Sequence, residues 1–101
     1  MATEYKIENR NLYIYLDGEL DHHLAKKIKY QCDIILKSYP IKDIEFDFAK
    51  SSFIDSSGIG VILGRYSQVQ AMGGTVRLSH MSASVRKIIH MAGLHQLVEE
   101  I

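Results

Sequence analysis

Two hydrophobic periods alternate along the chain. From Asn11 to Asp17, Leu12, Ile14 and Leu16 fall on one side and Tyr13 and Tyr15 on the other, the two-residue period of a strand. Tyr5 and Ile7 predict a short strand before it, with Glu8-Asn9-Arg10-Asn11 as the hairpin turn. At Asp21 the period changes. Leu24, Ile28, Gln31/Cys32 and Ile35 recur at helical spacing, with Lys26, Lys27, Lys29, Asp33 and Lys37 outside the stripe. Asp21 suits the N-cap, because its carboxylate can accept a bond from an orphan N–H of the first turn. Pro40 ends the segment.

Ile44, Phe46 and Phe48 then alternate with Glu45 and Asp47, a second clear strand. Ile59, Ile62, Leu63, Tyr66 and Val69 make a second amphipathic helix that Gly73-Gly74 terminates. Thr75 to His80 is a further strand, Val76 and Leu78 inward and Arg77 and Ser79 outward. Ser82 or Ser84 caps a last helix bearing Val85, Ile88 and Ile89, closed by Gly93 and Leu94, and Leu94 to Ile101 adds a short strand or turn. Doubly wound sheets bury both faces and read as continuous apolar runs. Here Tyr13, Tyr15, Glu45, Asp47, Arg77 and Ser79 mark a second, partly wet face. The expected architecture is a single α/β domain over residues 1–101: a mixed β-sheet with its helices mainly on one face, antiparallel at the initial hairpin and parallel beyond it.

Composition narrows the function. The 101 residues are 47% hydrophobic, enough for a core. Lys plus Arg and Asp plus Glu both number 12, a balance that argues against direct nucleic-acid binding, which needs a basic surface. Cys32 is the sole cysteine and falls in a helical stripe, so it reads as a small core residue in a reducing compartment. The N-terminus carries no apolar signal core and no run is long enough to cross a bilayer, so no membrane partner and a cytoplasmic address are expected.

Enzymatic readings fail on spacing. A hydrolase elbow needs glycine two residues to either side of its serine, whereas Ile54 and Asp55 precede Ser56 and Ser57. His22 and His23 are adjacent and point about 100° apart on a helix, unlike a helical metal pair at i, i+4, and no further ligands are identifiable. Gly58-Ile59-Gly60-Val61-Ile62-Leu63-Gly64 differs from a dinucleotide fingerprint, and no acidic residue stands at the required distance, where His80 and Met81 lie. Gly60 and Gly64, one turn apart, instead form a smooth strip that lets a neighbouring element or a partner approach. No metal, no cofactor and no catalysis are expected.

One connection remains. Phe53-Ile54-Asp55-Ser56-Ser57-Gly58 joins a strand to a helix at the edge of the sheet where α/β proteins place their sites. Capping is one explanation for its polar residues, and spacing leaves open which of Asp55 and Ser56 is the cap. The run Gly18-Glu19-Leu20-Asp21-His22-His23, followed by Ile54-Asp55-Ser56-Ser57-Gly58-Ile59-Gly60-Val61-Ile62-Leu63-Gly64-Arg65-Tyr66, resembles the anti-sigma factor antagonists, and similarity continues through Gly73-Gly74 and Met91-Ala92-Gly93-Leu94.

The resemblance implies a STAS domain, whose members often continue beyond the equivalent of Ile101. It also implies a partner anti-sigma factor that is both sigma inhibitor and serine kinase, supplying ATP and Mg²⁺, and a PP2C-type phosphatase. By position, Ser56 is the phosphorylated residue, Asp21 contacts the kinase, and the docking surface comprises Asp55, Ser56, Ser57, Gly58, Ile59, Gly60, Gly64 and Arg65. The Gly18–His23 run leans toward the sporulation branch. The alternatives are a general-stress sigma antagonist or a STAS-type interaction scaffold in which Ser56 serves only as a cap. Phosphoserine adds nearly two negative charges. At a helix N-terminus, free N–H groups and the dipole would accommodate them while the docking face would not, so the expectation is a retained fold and an expelled partner.

Overall fold

The computed structural model describes residues 2–101. Strands β1 (Glu4–Glu8) and β2 (Asn11–Asp17) form the antiparallel hairpin. Helix α1 (His22–Ser38) leads to β3 (Asp43–Lys50), α2 (Ser56–Gln70) to β4 (Val76–Ser79), and α3 (Ala83–Met91), followed by a 3₁₀ turn (Leu94–Gln96), to the two-residue β5 (Glu99–Glu100). The five strands lie in sequence order, and every pair after the hairpin is parallel. The hairpin turn places Asn9 and Arg10 at positive φ, 51° and 65°, the handedness that matches twisted strands. Arg10 is held there: its Nε donates to the Pro40 carbonyl at 3.2 Å, and its own carbonyl accepts from Lys42 N–H at 2.7 Å.

One apolar cluster forms the core. Leu12, Ile14, Leu16, Ile44, Phe46, Phe48, Val76 and Leu78 from the sheet meet Ala25, Ile28 and Cys32 from α1, Val61, Ile62 and Val69 from α2, and Val85 and Ile89 from α3. All three helices therefore cover the same sheet face, as the strand alternation predicts. Within α2 the buried stripe differs from the expected one. It consists of Gly58, Val61, Ile62, Arg65 and Val69, while Leu63 is exposed. The helix is apolar around much of its circumference, so its sequence does not single out one face.

The opposite sheet face is drier than its polar residues suggest. The register places Glu45 between Tyr13 and Arg77. Glu45 accepts from Arg77 Nε at 3.3 Å and from Ser79 Oγ at 2.9 Å, and Arg77 Nη2 donates to Asn11 Oδ1 at 2.9 Å. Ser79, expected outward and wet, is thus buried, and its hydroxyl is satisfied by the neighbouring strand. At the other end of the chain Glu100 clasps α3, meeting Arg86 at 3.2 Å and His90 at 2.7 Å, which fastens a strand too short to hold by its ladder.

Candidate partner-docking site

The loops leaving β2 and β3 run side by side at the carboxyl ends of those strands. Leu20 and Ile54 form an isolated parallel bridge. Leu20 N–H donates to the Phe53 carbonyl at 3.0 Å, and Asp55 N–H to the Leu20 carbonyl at 3.3 Å. Both side chains are buried, so the two loops are zipped by backbone bonds and anchored by their apolar residues. The zipper sets the starts of α1 and α2 next to each other, and with them Asp21 and Ser56.

Each helix start is capped by an aspartate. Asp21 Oδ1 accepts from Leu24 N–H at 3.0 Å. That bond, chiefly, holds the Asp21 carboxyl below the usual carboxylate range, with His23 contributing. Asp55 Oδ1 accepts from Ser57 N–H at 2.8 Å and from Gly58 N–H at 3.1 Å. The cap of α2 is therefore Asp55, and Ser56 is the first helical residue. Its side chain is exposed, and its hydroxyl makes no hydrogen bond among the described residues. One expectation changes here. Two N–H groups of the first turn are already engaged by Asp55, so they are not free to receive a phosphate on Ser56.

The residues assigned to docking fall into three sets by exposure, and the exposed set is joined by Leu63 and Phe53, which the sequence did not assign to docking. Ser56, Gly60 and Leu63 recur at i, i+4 and i+7 and are exposed, so they share one outward face of α2, with Phe53 also exposed just before it. Asp21, Asp55, Ser57, Ile59 and Gly64 are partly covered around this face. Gly58 and Arg65 are buried and cannot offer their surface in the same way. Gly58 has a packing reason: an added Cβ would stand 2.7 Å from the Leu20 carbonyl oxygen. Arg65 donates from Nε to Gln68 Oε1 at 2.7 Å and lies near Cys32, whose thiol burial pushes up to about 11.

Between α1 and α2 the surface opens into a groove of about 330 Å³, with His22, Lys26 and Lys29 on one wall and Ser57, Gly64 and Arg65 on the other. The α1 wall escaped sequence reasoning. Lys26 and Lys29 look there like an ordinary solvated helix face, and only the packing of α1 on α2 brings them opposite the glycines. Among the described residues no cluster of metal-ligating side chains is present, and no helix is long and apolar enough to cross a membrane.

Comparison with known proteins identifies the fold and the family. Residues 2–101 match the STAS domain family. An anti-sigma F factor antagonist of Paenibacillus polymyxa is 33% identical over 87 residues, 86% of this chain and 74% of that protein. The solved structure of the anti-sigma factor antagonist SpoIIAA in its unphosphorylated form superimposes with a TM-score of 0.88 at 32% identity, covering 99% of this chain and 88% of that one. The phosphorylated form of the Bacillus cell-fate determinant SpoIIAA gives 0.78 at 31% identity, covering 99% and 91%. These relatives are named for antagonism of another protein and not for a reaction, in keeping with a regulator that is not an enzyme. The chain belongs to the STAS domain family and, within it, to the anti-sigma factor antagonists.

Proposed function

We propose that this protein is a phosphorylation-controlled antagonist of an anti-sigma factor, with Ser56 as the switch. The unphosphorylated form docks on an anti-sigma factor that is also a serine kinase and so releases the sigma factor. Phosphorylation of Ser56 ends that docking, and a PP2C-type phosphatase restores it. The kinase brings ATP and Mg²⁺, and this chain supplies only the acceptor hydroxyl. The setting is the cytoplasm, and the similarity to a sigma F relative favours the sporulation branch.

One observation carries the reading. Ser56 is exposed at the first position of α2 with its hydroxyl unengaged, because Asp55 has taken over the capping role. A serine kept only as a cap would hold a first-turn N–H itself. Its hydroxyl is therefore available for transfer, on a face with apolar Leu63 exposed two turns along. A phosphate added there is a dianion beside the Asp55 carboxylate, on a face that must lose its water to bind. Desolvating such a charge without a partner weakens an interface strongly. The backbone need not move, and the chain's similarity to a relative solved in both states fits a fold that survives modification.

The test is intact-mass analysis after incubation with the anti-sigma factor kinase of the same organism and Mg·ATP. Wild type should gain one phosphate and Ser56→Ala none. Phosphate on the Ser56→Ala protein, or none on wild type, rejects the assignment. A Ser56→Asp variant that still binds the kinase with wild-type affinity rejects the expulsion mechanism.

A further inference from the structure

Arg65 is a buried cation with no ion-pair partner among the described residues, and the acid it senses, Asp33, lies beyond ion-pair distance. Only 4% of the residue is exposed, and among the described residues no carboxylate lies within ion-pair distance of it. Its Nε is satisfied by the neutral Gln68 amide, while Nη1 is buried with no hydrogen-bond partner. The adjacent Cys32 thiol cannot neutralise it, since burial pushes that thiol up to about 11 and keeps it protonated near neutrality. Asp33 is engaged first by Lys29 at 3.2 Å, and that bond is the main cause of its lowered pKa, with smaller contributions from the Arg65 charge and from Gln68. A buried charge without a close counter-ion is costly, and an acid brought by a partner would offset part of that cost.

The surroundings of Arg65 indicate what does so. The residue lines the groove between α1 and α2, where the remaining charged lining comes from Lys26 and from Lys29, itself paired with Asp33, and among the described residues no acid lines it. Lys26 makes no ion pair among the described residues. On the α2 side Gly60 and Gly64 leave open space, with nothing within 4 Å of where a Cβ would project. Ser57 places the end of the groove one residue from Ser56.

We propose that this groove is a carboxylate socket, in which an aspartate or glutamate side chain of the partner anti-sigma factor enters over Gly60 and Gly64, pairs with Lys26, and supplies the close negative charge that Arg65 lacks. Attraction from the guanidinium reaches the groove through space, because a sheltered charge is screened far less than an exposed one. The socket rests on the proposed identity of the partner as an anti-sigma factor. It adds a second contact to the Ser56 face, one that phosphorylation does not itself destroy. It also gives Arg65 a positioning role: the residue charges the groove floor and holds the partner's acid in register.

The experiment measures the dissociation constant of the unphosphorylated protein with its anti-sigma factor by calorimetry, at 0.1 and 0.5 M NaCl. Lys26→Glu should weaken binding by about tenfold or more, and Lys26→Arg should leave it near wild type. Arg65→Met should weaken binding at low salt while melting at the same or a higher temperature, because it removes an unpaired buried charge. Added salt should weaken wild type more than Lys26→Glu. Reversing the partner's acid to lysine should restore binding to Lys26→Glu.

Lys26→Glu binding within twofold of wild type overturns the socket. So does an Arg65→Met variant that melts lower with unchanged affinity, the signature of a structural role. If Lys26→Glu instead leaves affinity unchanged and lowers only the melting temperature of the Ser56-phosphorylated protein, the groove serves the chain's own phosphate and the socket is also overturned. Should Arg65→Met not fold, the Lys26 pair and the salt series still decide. Intact mass after kinase treatment separates this idea from the switch: wild type without phosphate but with groove-dependent binding sinks the switch alone, and the reverse pattern sinks the socket alone.

Discussion

Gly58 packs against Leu20 so closely that a Cβ at position 58 would stand 2.7 Å from the Leu20 carbonyl oxygen and 2.8 Å from its Cγ. That oxygen already accepts from Asp55 N–H, so it cannot retreat without opening the loop zipper. The contact couples the loop that carries Asp21 to the helix that begins at Ser56.

Gly58→Ala should therefore destabilise the protein even though alanine is the better helix former. Overpacking of this kind costs roughly 1–3 kcal/mol. For a domain of this size each kcal/mol lowers the melting temperature by about 4–8 °C. A calorimetric scan in which Gly58→Ala melts with wild type would show that the loops are not tightly locked.

Gly60→Ala and Gly64→Ala should do the opposite. Both positions are helical and face open space, so each alanine should add about 0.5–1 kcal/mol of stability in urea unfolding. The same substitutions put methyl groups on the proposed docking surface and should weaken binding to the anti-sigma factor. Stabilised variants with undiminished affinity would show that the partner does not approach these glycines.

Asp55 serves both helix stability and the charge next to Ser56, and two substitutions separate these effects. Asp55→Ala should cost about 1 kcal/mol through loss of the cap, whereas Asp55→Asn keeps a good cap without the charge. Phosphorylation of Ser56 should then lower the melting temperature of wild type more than that of Asp55→Asn, because only wild type sets a carboxylate beside the phosphate. Equal shifts would mean that the two anions do not sense each other.

Asp21 gives a pH dependence of known sign. Its folded pKa is depressed, mainly by the bond from Leu24 N–H, so its charged form stabilises the fold above the ordinary aspartate pKa of about 3.9. That contribution disappears as pH falls through the lower folded value. Asp21→Asn should accordingly lose less stability than wild type below about pH 4, while the two run parallel from pH 5 to 7. Parallel urea midpoints down to pH 2 would disprove the assignment.

Local pattern determined a great deal of this protein by itself. Alternation in Leu12–Leu16, Ile44–Phe48 and Val76–Leu78 is enough to name three strands and their inner face, because a strand's side chains alternate whatever it packs against. Asp21 announces the start of α1, and the long matching runs around Asp21 and Ser56 carry the family. Other features depended on partners distant in sequence. Ser79 looks wet until β4 sets it beside Glu45. Leu63 looks like core and Arg65 like surface until α2 is rolled against α1, since that helix is apolar nearly all round. Spacing left the cap of α2 open between Asp55 and Ser56, because both residue types can cap. The bonds that Asp55 accepts from Ser57 and Gly58 N–H decide it, on a backbone that the Leu20–Ile54 bridge holds just before the first turn. Periodicity thus set which elements form. Which side chains at the Ser56 edge are free, engaged or left charged in the interior was decided only when elements far apart in the chain packed together.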